Sequence, residues 1–175
     1  LSLRRQRQMC IRDRYLPDFR LSNAYVSEHA TIGDFFAHRS GLPGTAGDDL
    51  EDLGFTRSDV IARLRLLPLD AFRTSYHYAN FSTTIGAEAV ARAAGRPWDG
   101  LADDLLFKPL GMTATSYRFS DFMARENRAV LHGYQKGVFV PLGQRDADQQ
   151  APAGGASSTV VDMAQWIKLL LADGQ

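Results

Sequence analysis

The sequence has 175 residues, of which 45% are hydrophobic, and its 20 basic side chains balance its 20 acidic ones. This balance excludes a general electrostatic attraction to nucleic acid or to an anionic membrane surface. No apolar run approaches the roughly 18 residues of a membrane-spanning helix. The composition is that of one globular domain or a part of one.

The first thirteen residues differ from the rest. They contain no apolar periodicity, hold the sole cysteine, Cys10, and carry the basic side chains Arg4, Arg5, Arg7 and Arg12. Residues 4–13 resemble the translation of a sequencing adaptor, and the alternative is a basic arm that binds nucleic acid or lipid headgroups. We therefore expect residues 1–13 to lie outside the fold. Residues 14–175 would then form a partial domain that is cut at both ends.

The first half of residues 14–175 contains two helix-start signals. Thr31 is followed by an acid at Asp34, and Thr56 by an acid at Asp59, which are patterns close to a capping box. The first predicted helix ends near Gly41 and Pro43. The second carries apolar residues at helical spacing from Val60 onward and ends at Pro68.

The middle of the chain predicts a longer helix over residues 81–94. Its buried face is predicted to be Ile85, Ala89, Val90 and Ala93, and Gly95 closes it. Pro97 is typical of a first helical residue, and this next helix is predicted to run to about Phe107.

From about residue 129 the spacing of apolar side chains changes from a helical period to an alternation. Residues 129–134 and 138–141 alternate like two strands around the turn Lys136-Gly137, and residues 146–156 read as a loop. Ser158 or Thr159 caps a last helix whose apolar side chains are expected to point mostly inward: Val161, Met163, Ala164, Trp166, Ile167 and Leu170. The sequence thus predicts a mixed α+β fold that is mostly helical with one small β-hairpin.

Residues 76–80 form a short polar turn just before the longer helix. Tyr78 and Asn80, two positions apart, can offer a hydroxyl and an amide to the same cleft. The competing interpretations are that Tyr78 packs on the helix and that Asn80 is the N-cap of that helix. Asn80 could be an N-cap and a site residue at the same time. Tyr76 and His77 are interpreted as structural or cleft-wall residues, and His38 as a helix-end histidine that meets carbonyl groups.

Five segments in order resemble the serine beta-lactamase and penicillin-binding-protein superfamily, most closely its class C-like branch. They are the connector at residues 15–19, the helix and turn at residues 31–43, Tyr78-Ala79-Asn80, Pro109-Leu110-Gly111-Met112 followed by Thr115, and residues 152–158 followed by Asp162-Met163-Ala164. The resemblance implies a beta-lactamase-like, serine transpeptidase-like fold. It also implies a secreted or periplasmic location and leaves membrane association open.

The family mechanism uses a Ser-x-x-Lys, a Tyr-x-Asn and a Lys- or His-Thr-Gly strand around one cleft. A serine is a poor nucleophile without a base in reach, and a tyrosine with a pKa near 10 becomes a usable base when ammonium groups stabilise its phenolate. By resemblance, Tyr78 is the proton shuttle and Asn80 holds the substrate amide and the catalytic lysine. The substrate is then a small-molecule or peptide acyl donor: a beta-lactam, a D-alanyl peptide or an ester.

Two of the three motifs are absent from the sequence. No serine has a lysine three residues later, and none of Lys108, Lys136 and Lys168 begins a Lys-Thr-Gly. We therefore expect an inactive fragment of a serine hydrolase that acts through an acyl-enzyme. The alternative is a non-catalytic binding or sensor module for cell-wall peptides. No metal or cofactor is predicted, since His29 and His132 lack partners at ligand spacing, and Ser157 does not fit a nucleophile elbow.

Overall fold

The computed structural model describes residues 15–174. The segment at residues 1–13, with Cys10, lies outside the described residues, so the adaptor interpretation stays a prediction. The helices and helical turns are, in chain order, α1 Ala24–His29, α2 Ile32–Phe36, α3 Asp48–Asp52, α4 Arg57–Arg63 with a 3-10 turn Leu64–Leu66, α5 Asn80–Ala94, α6 Trp98–Ala102 with a π turn Asp103–Phe107, α7 Phe119–Met123, a 3-10 turn Asp148–Gln150, α8 Ala151–Gly154 and α9 Val160–Leu171.

The strands β1, His132–Gln135, and β2, Val138–Pro141, form a two-stranded antiparallel sheet in which Tyr134 lies opposite Phe139. Lys136 and Gly137 both have positive φ, the backbone of a type I′ hairpin turn. The hairpin stands where the alternation predicts it, although β1 begins three residues later than expected. The predicted mixed α+β, mostly helical fold is confirmed.

The predicted threonine caps are present. Thr31 Oγ1 accepts the Asp34 N–H at 3.2 Å, and the Asp34 carboxylate accepts the Thr31 N–H at 2.8 Å, which completes a capping box. Thr56 accepts the Asp59 N–H at 3.2 Å in the same way. Thr159, not Ser158, caps α9 by accepting the Asp162 N–H at 3.2 Å.

The central helix α5 packs against α2 on one side and α8 on another. Phe81 and Ile85 are fully buried, and Gly86 faces the Phe36 ring so closely that an added Cβ would lie 2.9 Å from it. The predicted buried face is partly wrong, since Ala93 is exposed and Val90 half-buried. The reason is that two packing partners bury a different set of side chains from the one that a single apolar stripe would bury.

The helix predicted over residues 97–107 is present, with Pro97 as its N-cap rather than its first residue. It continues from α6 into the π turn, where Leu105 is 69% exposed. The Trp98 ring contacts the Tyr117 ring edge-on at 5.9 Å, which is a packing role.

Two predictions for the last third of the chain are wrong. Residues 146–156 are not a continuous loop, because residues 148–154 form helical turns that bury Gln150 and Ala151. The apolar side chains of α9 do not point inward: Val161, Met163, Trp166, Ile167 and Leu170 are exposed, and the buried residue is Asp162. Asp162 holds the first turn of α9 against Ala114 and Thr115, and within residues 15–174 no element covers the apolar side of the helix.

Candidate active site

The turn at residues 76–80 leads directly into α5. Ala79 is 1% exposed and extended, and it is the N-cap residue, while Asn80 is the first helical residue. The N-cap interpretation of Asn80 is therefore wrong, since the side chain of Asn80 does not receive a helix N–H. Tyr78 and Asn80 flank the buried Ala79 in the chain, with Tyr78 56% exposed and Asn80 half-buried.

The turn is held by the segment at residues 38–41. Its carbonyl groups accept backbone N–H groups from the loop before the turn and from the turn itself: Asp70 to Gly41 at 2.8 Å, Arg73 to Arg39 at 2.9 Å and His77 to His38 at 3.2 Å. Gly41 has a φ of 88°, and a Cβ there would lie 2.7 Å from the Asp70 carbonyl oxygen. Glycine is therefore required at position 41 for the loop to approach.

Tyr78 has a 56% exposed side chain, so its hydroxyl is accessible. Its backbone is tied down, because its carbonyl accepts the Thr45 N–H at 3.4 Å. Its ring contacts the His38 ring, with centroids 4.7 Å apart. The structure contradicts the idea that His38 meets helix carbonyls, because its Nδ1 accepts the Ala79 N–H and its ring packs against the turn. The idea that Tyr78 packs on α5 stays a prediction.

Asn80 donates from Nδ2 to the Asp48 carboxylate at 3.2 and 3.4 Å. A carboxylate accepts only, so the NH₂ end of the amide must face Asp48 and Oδ1 is left for another donor. Burial raises the pKa of Asp48, and the hydrogen bond from Asn80 offsets part of that rise. Sequence reasoning missed Asp48, whose one signal is its place in an acidic loop after Gly47.

His77 forms an ion pair with Asp70, Nε2 to Oδ2 at 3.2 Å. Both side chains are largely exposed, so the pair contributes little to stability. Tyr76 contacts His38 edge-on at 5.8 Å. These contacts give Tyr76 and His77 a structural role, and their interpretation as cleft-wall residues stays a prediction.

The other residues singled out from the sequence lie elsewhere in hydrogen-bonded positions. Ser157 pairs with Ser116 through two backbone hydrogen bonds of 3.0 and 2.9 Å. His29 stacks on Tyr25 at 4.0 Å, and His132 Nδ1 lies 2.8 Å from the Val130 carbonyl oxygen. Within residues 15–174 no three His, Cys, Asp or Glu side chains cluster at metal-binding distance, and no helix there is long and apolar enough to span a bilayer.

Comparison with known proteins gives consistent matches. The sequence model of a protein family described as Beta-lactamase matches residues 13–175. The unguisins hydrolase ungD of Aspergillus violaceofuscus is 28% identical over 165 residues, which cover 88% of this chain and 29% of that protein. Penicillin-binding protein 4 of Amycolatopsis lactamdurans is 28% identical over 167 residues, covering 91% and 42%.

Among solved structures, a class C beta-lactamase from Rhodobacter sphaeroides superposes with a TM-score of 0.71 at 22% identity, covering 99% of this chain and 48% of that one. This likeness shows a shared fold. The chain therefore spans less than half the length of each of these three proteins.

Proposed function

Because the chain belongs to the beta-lactamase family, a family of hydrolases, we propose that the complete protein is a serine hydrolase that forms an acyl-enzyme on an amide or ester. The observation that carries the proposal is the turn at residues 76–80. It holds the exposed Tyr78 and the Asn80 amide on either side of the buried Ala79 in the chain, and a hydrogen bond to Asp48 fixes the amide. This arrangement fits a proton shuttle beside a positioning amide.

The proposed chemistry needs a serine and a lysine that the printed sequence does not supply at the family spacing. We propose that both belong to a part of the protein outside this sequence, which the short coverage of the relatives supports. The 175-residue chain alone would then be inactive. The substrate would be a small molecule or peptide with an acyl group: a beta-lactam, a D-alanyl peptide or an ester.

In the first step, Tyr78 acts as the base that takes the proton of the serine hydroxyl while the serine oxygen bonds to the acyl carbon. Tyr78 then passes that proton to the leaving nitrogen or oxygen as its bond to carbon breaks. Water attacks the acyl-enzyme by the same proton route and regenerates the serine. Asn80 Oδ1 would accept from an ammonium, since the NH₂ end of the amide donates to Asp48.

The test is labelling of the complete gene product with a fluorescent penicillin and with a fluorophosphonate. We expect the wild type to be labelled, and Tyr78→Phe to slow labelling by roughly 10²–10⁴-fold, the usual worth of a positioned acid–base group. Tyr76→Phe is the matched control, since Tyr76 is also exposed and contacts His38, and its labelling rate should stay near that of the wild type.

An unlabelled, correctly folded wild type would contradict the hydrolase proposal. It would favour the second candidate, a non-catalytic binding or sensor module for cell-wall peptides. Equal slowing in Tyr78→Phe and Tyr76→Phe would contradict the role of Tyr78. The proposed secreted or periplasmic location follows from family membership alone, and cell fractionation tests it.

A further inference from the structure

His38 occupies an unusual place at the end of α2. Its φ is 56°, in the left-handed region that non-glycine residues rarely adopt. Histidine is among the side chains that tolerate this conformation better than most. The left-handed backbone reverses the chain after α2 and leaves the half-buried imidazole beside the Tyr78 turn.

His38 accepts two hydrogen bonds from the residues on either side of Tyr78. The His38 carbonyl accepts the His77 N–H at 3.2 Å, and His38 Nδ1 accepts the Ala79 N–H at 3.4 Å. In an extended segment the N–H groups of residues 77 and 79 point the same way. A single residue thus pairs with the backbone on both sides of Tyr78, once through its main chain and once through its ring.

The imidazole also limits where the Tyr78 ring can lie. Its centroid is 4.7 Å from the Tyr78 ring and 5.8 Å from the Tyr76 ring, with interplanar angles of 39° and 79°. These are ordinary distances for attractive aromatic pairs. Backbone and ring of Tyr78 are therefore both held by His38, although the Tyr78 side chain is mostly exposed.

From this geometry we propose that His38 is a positioning residue that holds Tyr78 in place for proton transfer. The positioning role stands on the contacts above, and its catalytic consequence rests on the proposed function of Tyr78. Nδ1 accepts only while it carries no proton, so the Ala79 hydrogen bond is present above the pKa of His38 and is lost below it. Burial lowers the pKa of His38 from its ordinary value, which keeps the acceptor available at neutral pH.

Other titratable and charged groups surround this histidine and enter any pH analysis. They are the hydroxyls of Tyr76 and Tyr78, the His77–Asp70 ion pair, the neighbouring Arg39, and the Arg73–Asp34 ion pair of the adjoining loop and helix. Replacing His38 while keeping these groups separates its titration from theirs.

Two variants distinguish the acceptor from the ring. Asparagine tolerates a left-handed backbone and places its Oδ1 near the position of Nδ1, so His38→Asn keeps an acceptor that does not titrate near neutral pH. His38→Ala removes both the acceptor and the ring. Loss of the ring packing alone would affect His38→Asn and His38→Ala alike. A difference between the two variants therefore reports on the hydrogen-bond acceptor.

The first measurement is NMR of the complete gene product labelled with ¹³C-carbonyl tyrosine and ¹⁵N-alanine. Tyr78-Ala79 is the only Tyr-Ala dipeptide in the printed sequence, and the Ala79 signal is the one that disappears in Tyr78→Phe. We expect the Ala79 amide to exchange at least about tenfold faster in His38→Ala than in the wild type or His38→Asn. We also expect its shift to titrate below pH 6.5 in the wild type alone. Equal exchange in all three proteins would overturn the proposal.

The second measurement is kcat and KM for an acyl ester between pH 5 and 8. We expect His38→Ala to lower kcat by roughly 10–100-fold with little change in KM, and His38→Asn to recover most of the loss and to lack the acid limb. Equal loss in both variants would overturn the role of the acceptor. If the wild type is inactive, the proposed function fails, and the NMR result still decides whether His38 holds the turn.

Discussion

The two ends of the described chain are stabilised in different ways. Residues 15–94 contain most of the large buried apolar side chains, including Phe35, Phe81 and Ile85. In residues 129–174 the large apolar side chains of the hairpin and of α9 are exposed instead. The turn that carries Tyr78 belongs to the first region. The candidate site is therefore built on an apolar core.

Apart from α8, which packs against α5, the later region is joined to the core through polar groups. Arg57 donates from Nε to the Gln149 carbonyl at 2.9 Å, and the buried Glu51 accepts from Gln150 and, at 2.6 Å, from Arg145. Burial raises the pKa of Glu51, and its partners offset part of that rise. These polar contacts attach the later region to the core while its apolar side chains stay exposed. Substitutions can test whether the two regions contribute differently to stability.

The largest effect is expected in the core. Phe81→Ala should lower the free energy of unfolding by about 3–5 kcal/mol, because a fully buried ring leaves a cavity. Phe139→Ala, in the hairpin, should cost less than about 1 kcal/mol, since this ring is 73% exposed and contacts mainly Tyr134. Urea denaturation measures both, and similar losses would refute the contrast.

The next effect concerns the polar attachment of α9. Asp162 accepts the Ala114 N–H at 2.7 Å and the Thr115 hydroxyl at 2.8 Å in a buried position. Asp162→Ala leaves the Ala114 N–H without this acceptor and the Thr115 hydroxyl with Ser158 as its remaining partner, and should cost about 2–3 kcal/mol. Val160→Ala, at an 85% exposed site of the same helix, is the control and should change stability by less than about 0.5 kcal/mol. A small loss of stability in Asp162→Ala would mean that contacts other than those of Asp162 hold α9.

A smaller effect with a pH signature is expected at Asp34. Burial raises the pKa of this carboxyl, but hydrogen bonds from Arg73 and Thr31 outweigh burial and leave the pKa below its ordinary value. The contribution of ionised Asp34 to folding stability is therefore fully present above the unfolded-state pKa of about 3.9. It is lost as the pH falls through the folded-state pKa.

Asp34→Asn should accordingly cost about 1–2 kcal/mol at pH 7 and progressively less below pH 4. Unfolding curves of both proteins at several pH values provide the check. A difference that does not change with pH would show that charge is not what Asp34 contributes.

The smallest effect is expected on the open side of α9. Leu171 is 82% exposed, so Leu171→Lys in the 175-residue chain should change stability by less than about 0.5 kcal/mol. In the complete gene product the same substitution should cost more if another part of the protein covers this side. Equal small effects in both proteins would argue against such a cover.

Local chemistry explains what could be predicted from the sequence. The threonine caps, the glycine-ended α5 and the type I′ hairpin each depend on a few adjacent residues, and all of them are present. Tyr78 and Asn80 were identified by segment order, not by any physical signal within the turn itself. Their roles stay predictions.

Long-range contacts explain what could not be predicted. Asp48 meets Asn80 across 32 residues, and His38 meets Ala79 across 41, with no periodic pattern that marks either pair. The apolar side of α9 was predicted to be buried because periodicity gives the direction of a helix face but not the presence of a partner. Residues 148–154 were missed because the contacts that hold them are long-range, among them the hydrogen bond from the buried Gln150 to Glu51, 99 residues away.

The hydrogen bonds that join distant segments close loops of different length. This difference has a consequence for the order of folding. Ser82 meets the Phe35 carbonyl across 47 residues, whereas Arg57 meets Gln149 across 92. Closing the longer loop costs more chain entropy before any contact repays it. We expect the α2–α5 contact to form in the folding transition state and the Arg57 contacts to form after it. Stopped-flow kinetics would then show that Ser82→Ala slows folding, whereas Arg57→Ala mainly speeds unfolding.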